Sequence, residues 1–304
     1  MSGLQRLLDA AAGWTPPELA GEPPHGDMPG DKVCIGEGHI RKANIIFPAL
    51  VRELKKTNNE KTVVSVFGGS GVGKSETASV LAAYFRAAGI GSYVMSGDNY
   101  PHRIPMYNDA ERLRIFRTAG LRALVASGQY GGELQKELSA LWESGADADP
   151  AAAAERSWLK IYQSAGRAAL ADYLGTPAEQ DYEEVNAILA AFRAGEKSVF
   201  LKRMGRTEDA RWYTAVDFSE TDVLLLEWTH GGNEALRGID VPILLYSTPE
   251  ETREHRRLRA RDGNTDSPFT TMVLEIEQME LERAIPTVKI MVSKSGELLK
   301  GAGE

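Results

Sequence analysis

Apolar residues recur along this chain with two different periods, and the switches between them outline a fold. Between residues 38 and 57, Ile40, Ile45, Ile46, Leu50, Val51 and Leu54 are spaced to form one stripe on a helix, which Asn58 and Asn59 close. Thr62–Phe67 (TVVSVF) is a short β-branched and apolar run that suits a strand covered on both faces. A Gly-rich turn follows, and then a helical pattern from Ser75 to about Ala88. In that helix Val80, Leu81, Tyr84 and Phe85 are expected to face a sheet, and Gly89 stands where a helix stops. Ser92–Ser96 (SYVMS) reads as a second strand. Strand, helix and strand in this order predict a parallel α/β sheet.

The pattern then turns helical and Ala-rich. Candidate helices cover 109–126, 131–144, 152–174 and 178–194, with a break at Gly145–Pro150. So long a stretch exceeds a single crossover and reads as a helical insertion, about 108–196, that shapes a pocket or a homodimer contact. Sheet-like runs return afterwards. Val199–Arg203 and Arg211–Val216 form a candidate hairpin around Gly205–Asp209, Val223–Leu226 is a continuous apolar run ending at Glu227, and Val241–Tyr246 and Val288–Val292 are further strands. Helical patterns cover Glu250–Arg261 and Thr271–Ala284. The expected organisation is an N-terminal helical extension over 1–60 and one domain over 61–304. That domain carries the insertion and an Arg-rich segment near 250–268.

Gly68-Gly-Ser-Gly-Val-Gly-Lys-Ser75 satisfies G-x-x-x-x-G-K-[ST] in full, directly after a strand and directly before a helix. Glycines let successive backbone N–H groups turn into one concavity, and the helix start adds the positive end of its dipole. Gly69, Ser70, Gly71, Val72, Gly73, Lys74, Ser75 and Glu76 are therefore the expected nucleotide contacts. Lys74 would reach the β and γ phosphates, and the Ser75 hydroxyl would help to hold Mg²⁺. The expected fold is the three-layer α/β fold of P-loop NTPases, with ATP and Mg²⁺ as cofactors.

Ser96-Gly-Asp-Asn-Tyr-Pro101 follows the second strand, where open α/β sheets place their ligands. Asp98 there could accept a proton from an attacking hydroxyl or orient the metal. Tyr100, His102 and Arg103 are candidate acceptor contacts. Arg112, Arg114 and Arg117 on the next helix read by default as solvated charges.

Together GGSGVGKS and SGDNY resemble the uridine kinase and phosphoribulokinase group of P-loop kinases, and GDN also resembles adenylyl-sulfate kinases. The resemblance implies a base or metal role for Asp98. It makes Leu224-Leu-Leu-Glu-Trp228 similar to that group's strand ending in Glu-Gly, so that Glu227 would hold Mg²⁺ or contact the acceptor hydroxyl, with Trp228 in place of the usual Gly. The basic hairpin resembles that group's substrate hairpin, with Arg206 as a contact. The segment Thr252–Asp262 resembles its lid, in which Arg253, Arg257 and Arg261 share one helical face and Arg257 and Arg261 are the favoured catalytic arginines.

Composition narrows the alternatives. A formal net charge of −8 disfavours a nucleic-acid partner, and no apolar run approaches a membrane span. Cys34 is the single cysteine, which suits a reducing, cytoplasmic setting. A nucleotide-hydrolysing switch or metallochaperone is the rival class, but the chain has no Asn-Lys-x-Asp tetrapeptide. The expectation is a kinase that moves the γ-phosphate of ATP to a hydroxyl of a small-molecule acceptor.

Overall fold

The computed structural model describes residues 15–19, 23–57, 59–259 and 267–299. Its centre is a six-stranded sheet in the order β2-β5-β1-β6-β7-β8. The strands are β1 (Thr62–Gly68), β2 (Ser92–Ser96), β5 (Val223–Trp228), β6 (Val241–Leu245), β7 (Ile290–Val292) and β8 (Leu298–Leu299). All neighbours are parallel except β8, which runs antiparallel to β7 and closes that edge. The short β8 adds to the strands expected. The hairpin forms apart from this sheet, as β3 (Ser198–Met204) and β4 (Arg211–Asp217). The register sets Phe67 of β1 beside Trp228 of β5 and Ser96 of β2 beside Glu227, so the carboxyl ends of three strands finish together.

Helices cover both faces. The phosphate-loop helix Lys74–Ala87 is buried nearly all round, because the N-terminal helix Glu37–Thr57 packs against its far side. Phe47 meets Tyr84 and Phe85 edge-on, with centroids 5.5 and 5.0 Å apart, and the Tyr84 hydroxyl donates to Asn44. Thus Tyr84 and Phe85, expected to face the sheet, also serve the contact between helices. On the opposite face Tyr182–Arg193 covers β2, β5 and β1, and Pro268–Ala284 covers β1 and β6.

Between β2 and β3 the helical stretch begins with Pro105–Ala126 and Gly132–Ser144. The 152–174 segment is broken into Pro150–Ala153 and Ser157–Ala171. Pro105–Ala126 and Ser157–Ala171 pack so closely that glycine is required where they cross. A Cβ on Gly120 would lie 2.4 Å from the Tyr162 ring, and one on Gly166 would lie 2.5 Å from Phe116. Phe116 and Tyr162 then meet edge-to-face at 5.4 Å. Phe269, Met272, Val273 and Ile276 of the C-terminal helix complete this cluster, which ties the helical stretch to the sheet.

Gly120→Val should overpack that crossing. We expect a loss of about 1–3 kcal/mol in chemical denaturation, larger than any gain in helix propensity.

Candidate active site

The phosphate loop bends around the end of β1. Gly71 and Gly73 hold φ of 77° and 91°, a left-handed region that glycine enters without penalty. A Cβ on Gly73 would also lie 2.7 Å from the His39 ring. Lys74 Nζ folds back to donate to the Gly69 carbonyl at 3.2 Å. A second lysine supports the loop from outside it: Lys42 of the N-terminal helix, buried, donates to the Val72 carbonyl at 2.8 Å. A trans peptide points its C=O and N–H in opposite directions, so this bond sends the Gly73 N–H away from Lys42. Glu76 is buried and lies near Lys42.

Glu227 closes β5 as a carboxylate buried to within 3% of full coverage. Its Oε1 accepts from Ser96 Oγ at 2.6 Å and its Oε2 from Ser75 Oγ at 3.1 Å. Burial pushes its pKa well above the ordinary carboxyl range, and the nearby Asp98 charge adds to the push. The two serine hydroxyls and Lys74 oppose it. Asp98 stands on the turn Gly97–Asn99 and is exposed. Trp228 faces the core. Its ring packs on Gly97, where a Cβ would lie 2.0 Å from Cγ, and tilts against Tyr182 at 5.2 Å.

The N-terminal segment enters the same site. Gly26 packs on the Glu227 carboxylate, since a Cβ there would lie 3.4 Å from Oε1. Asp27 accepts from the Ser96 N–H at 2.8 Å, from Asn99 Nδ2 at 3.0 Å and from the Tyr93 hydroxyl at 2.9 Å, and it pairs with Arg203 at 2.9 Å. One carboxylate therefore joins β2, the Asp98 turn and the hairpin.

A buried charge cluster forms the other wall. Glu179 accepts from Arg112 Nε at 2.6 Å, Asn108 Nδ2 at 3.0 Å and the Gly175 N–H at 2.7 Å. Arg112 also lies 3.8 Å from Glu277, whose pKa burial raises. Burial pushes His230 down to about 4, despite the attraction of Glu179, so its ring is neutral near pH 7. Arg112, expected among solvated charges, is thus a half-buried partner of the buried Glu179.

The other anticipated acceptor contacts separate. Tyr100 is fully buried, with Lys202 5.0 Å above its ring, and belongs to the core. His102 bonds the Pro177 carbonyl at 3.0 Å, and Arg103 donates to the Tyr173 hydroxyl at 3.0 Å. Both are drawn toward the helical stretch by those partners. Arg206 is exposed at the hairpin turn and Arg257 is exposed on Pro249–Arg259. Arg261 lies outside the described residues. Asp27, Lys42, Ser96, Glu179, His230 and Glu277 were not anticipated. Each stands in an unremarkable local context, and their partners lie far away in sequence.

No family model matches the sequence. Over 257 residues, 84% of this chain, it is 36% identical to the bifunctional alpha-galactosidase/sucrose kinase AgaSK of Mediterraneibacter gnavus. The chain spans 23% of that protein's length. Among solved structures, D-glycerate 3-kinase from Cryptococcus neoformans is 12% identical, with 87% of this chain and 98% of that one covered at a TM-score of 0.49. A putative fructose transport system kinase from Silicibacter sp. is 16% identical, with 80% and 94% covered at 0.47. A possible uridine kinase from Bacillus stearothermophilus is 15% identical, with 74% and 91% covered at 0.39.

The raised carboxyl of Glu227 has a consequence for stability. Above the ordinary carboxyl range the native state retains a proton that the unfolded chain releases, so folding weakens as pH climbs toward the raised value. Glu227→Gln removes that loss. Variant and wild type should melt alike at about pH 4, and the variant should gain a growing advantage toward neutral pH. Thermal unfolding without nucleotide, across pH, measures this.

Proposed function

We propose that this chain is an ATP-dependent kinase, of the uridine kinase and phosphoribulokinase group that its motifs resemble, and that it phosphorylates a hydroxyl of a sugar. One observation carries the reading: Ser75 of the phosphate loop is hydrogen-bonded to Glu227 while Asp98 stands exposed beside them. The sucrose kinase activity named for the 36% identical relative supports a sugar as acceptor.

The residues suit ATP and Mg²⁺. Ser75, Asp98 and Glu227 offer only oxygen donors, which a hard cation prefers. Among the described residues no cluster of three His, Cys, Asp or Glu could hold a metal. That is the pattern where phosphate oxygens complete the coordination of Mg²⁺. Beside Gly69 and Ser70, the buried Ser247 hydroxyl lacks a partner among the described residues and lines a small recess, available to a phosphate oxygen.

When bound, ATP with Mg²⁺ supplies the transferable phosphoryl group. Asp98, exposed on its turn after β2, would accept the proton of the acceptor hydroxyl. Glu227 holds Ser75 in place for the metal. Lys74 neutralises charge on the phosphates, and Arg257 approaches from the helix Pro249–Arg259. The lone Cys34 and the absence, among the described residues, of a helix able to cross a membrane accord with a cytoplasmic setting.

The test is γ-labelled ATP with Mg²⁺ and sucrose or a panel of other neutral sugars, for wild type and Asp98→Asn. We expect a labelled sugar phosphate from the wild type, reduced about 10²–10⁴-fold in the variant. Label found only as free phosphate, equal in both, would instead support a hydrolysing switch. Lys42→Met should weaken ADP binding roughly tenfold by releasing the Val72 peptide, about 1.4 kcal/mol, and Lys42→Arg should restore part of it. Calorimetry with ADP and Mg²⁺ measures both.

A further inference from the structure

The connection from β5 to β6, residues 229–240, forms turns and no helix. Parallel strands are usually joined by a helix that covers the sheet between them. Here the connection itself supplies no helix, and a cavity of about 510 Å³ opens between it and the helix Pro268–Ala284, which covers β1 and β6. Its volume falls in the range of small-molecule sites. Leu236, Ile239 and Ala284 supply apolar surface, with Phe67 and Leu281 buried in the wall, and Glu277, Glu280 and His230 supply polar groups.

Two of these groups have hydrogen-bonding capacity to spare. The Glu277 side chain is 13% exposed, and its one ionic partner among the described residues is Arg112, at 3.8 Å, beyond hydrogen-bond distance. No described group hydrogen-bonds to the His230 ring, which is neutral and presents one donor and one acceptor. Buried polar groups seek partners, and a carboxyl group and a neutral imidazole lining one cavity match hydroxyl groups, which donate and accept. An anionic ligand would meet the Glu277 and Glu280 carboxylates. The lining cation Arg283 is already paired with Glu280 at 2.6 Å, and Lys289 stands at the exposed rim.

The cavity is linked to the phosphate loop through two side chains. Glu277 lines both it and the small recess beside Gly69 and Ser70. Leu281 Cδ1 lies 3.9 Å from where a Cβ of Gly69 would be.

We infer that this cavity is the acceptor subsite and that it takes an uncharged polyhydroxylated ligand, a neutral sugar, recognised by Glu277 and His230. The inference rests on the kinase reading for its purpose but is tested by binding alone. Sucrose is titrated calorimetrically into the full chain with ADP and Mg²⁺ present. The variants are Glu277→Gln, which keeps the shape and removes the charge, and Ala284→Phe, which fills the cavity. Expected is a rise in the sucrose Kd of at least tenfold in both, with the ADP Kd of Ala284→Phe within twofold of wild type. A merely structural role would move both constants and the melting temperature together. If Ala284→Phe fails to fold, the near-isosteric Glu277→Gln decides the matter. An unchanged sucrose Kd, or no heat from sucrose in the wild type, overturns the subsite. Sucrose binding that is lost in the variants without any phosphorylation keeps the subsite and removes the kinase reading. Phosphorylation with an unchanged sucrose KM in the variants keeps the kinase and removes the subsite.

Discussion

The buried carboxylate of Glu227 governs how the ends of three strands are arranged. A carboxylate closing an all-apolar central strand is costly unless donors reach it. The strand order supplies them from both sides, Ser96 from β2 and Ser75 from the loop after β1. With β5 between β2 and β1, the phosphate loop and the Asp98 turn meet over one acidic group. The buried carboxyl and the Gly68–Ser75 loop are therefore joined at one point. The protein accepts an unfavourable burial in the place where a cation and phosphates would relieve it.

Around that centre the chain closes itself from two distant directions. The N-terminal segment contributes Asp27, whose four partners tie β2, the Asp98 turn and the hairpin, while the helix after it contributes Lys42 to the back of the phosphate loop. From the other side, one of the two helices that cross at Gly120 and Gly166 carries Arg112, which pairs with Glu179 and lies 3.8 Å from Glu277 of the C-terminal helix. Arg203 is neutralised by Asp27, so the hairpin brings less positive charge to the site than its sequence suggests.

The sequence by itself determined whatever depends on neighbours along the chain. The strand–loop–helix of Gly68–Ser75, the strands at Thr62, Ser92, Val223 and Val241, and the hairpin all follow from local periodicity and turn chemistry. These features are written within a few residues of one another. Asp98 and Glu227 were legible because each ends a recognisable strand. Tyr100 and Trp228 show the limit. They stand beside such positions in sequence, but the pleat and the packing turn them into the core, Trp228 onto Gly97 and Tyr100 beneath Lys202. Only the tertiary structure decided the surroundings of Asp27, Lys42, Arg112, His230 and Glu277, and only it opened the cavity between residues 229–240 and the C-terminal helix. The physical reason is that a charge is defined by what surrounds it. Asp27 lies 176 positions from Arg203 and Arg112 lies 165 from Glu277, and no local pattern records a pairing that forms only when the sheet brings such segments together.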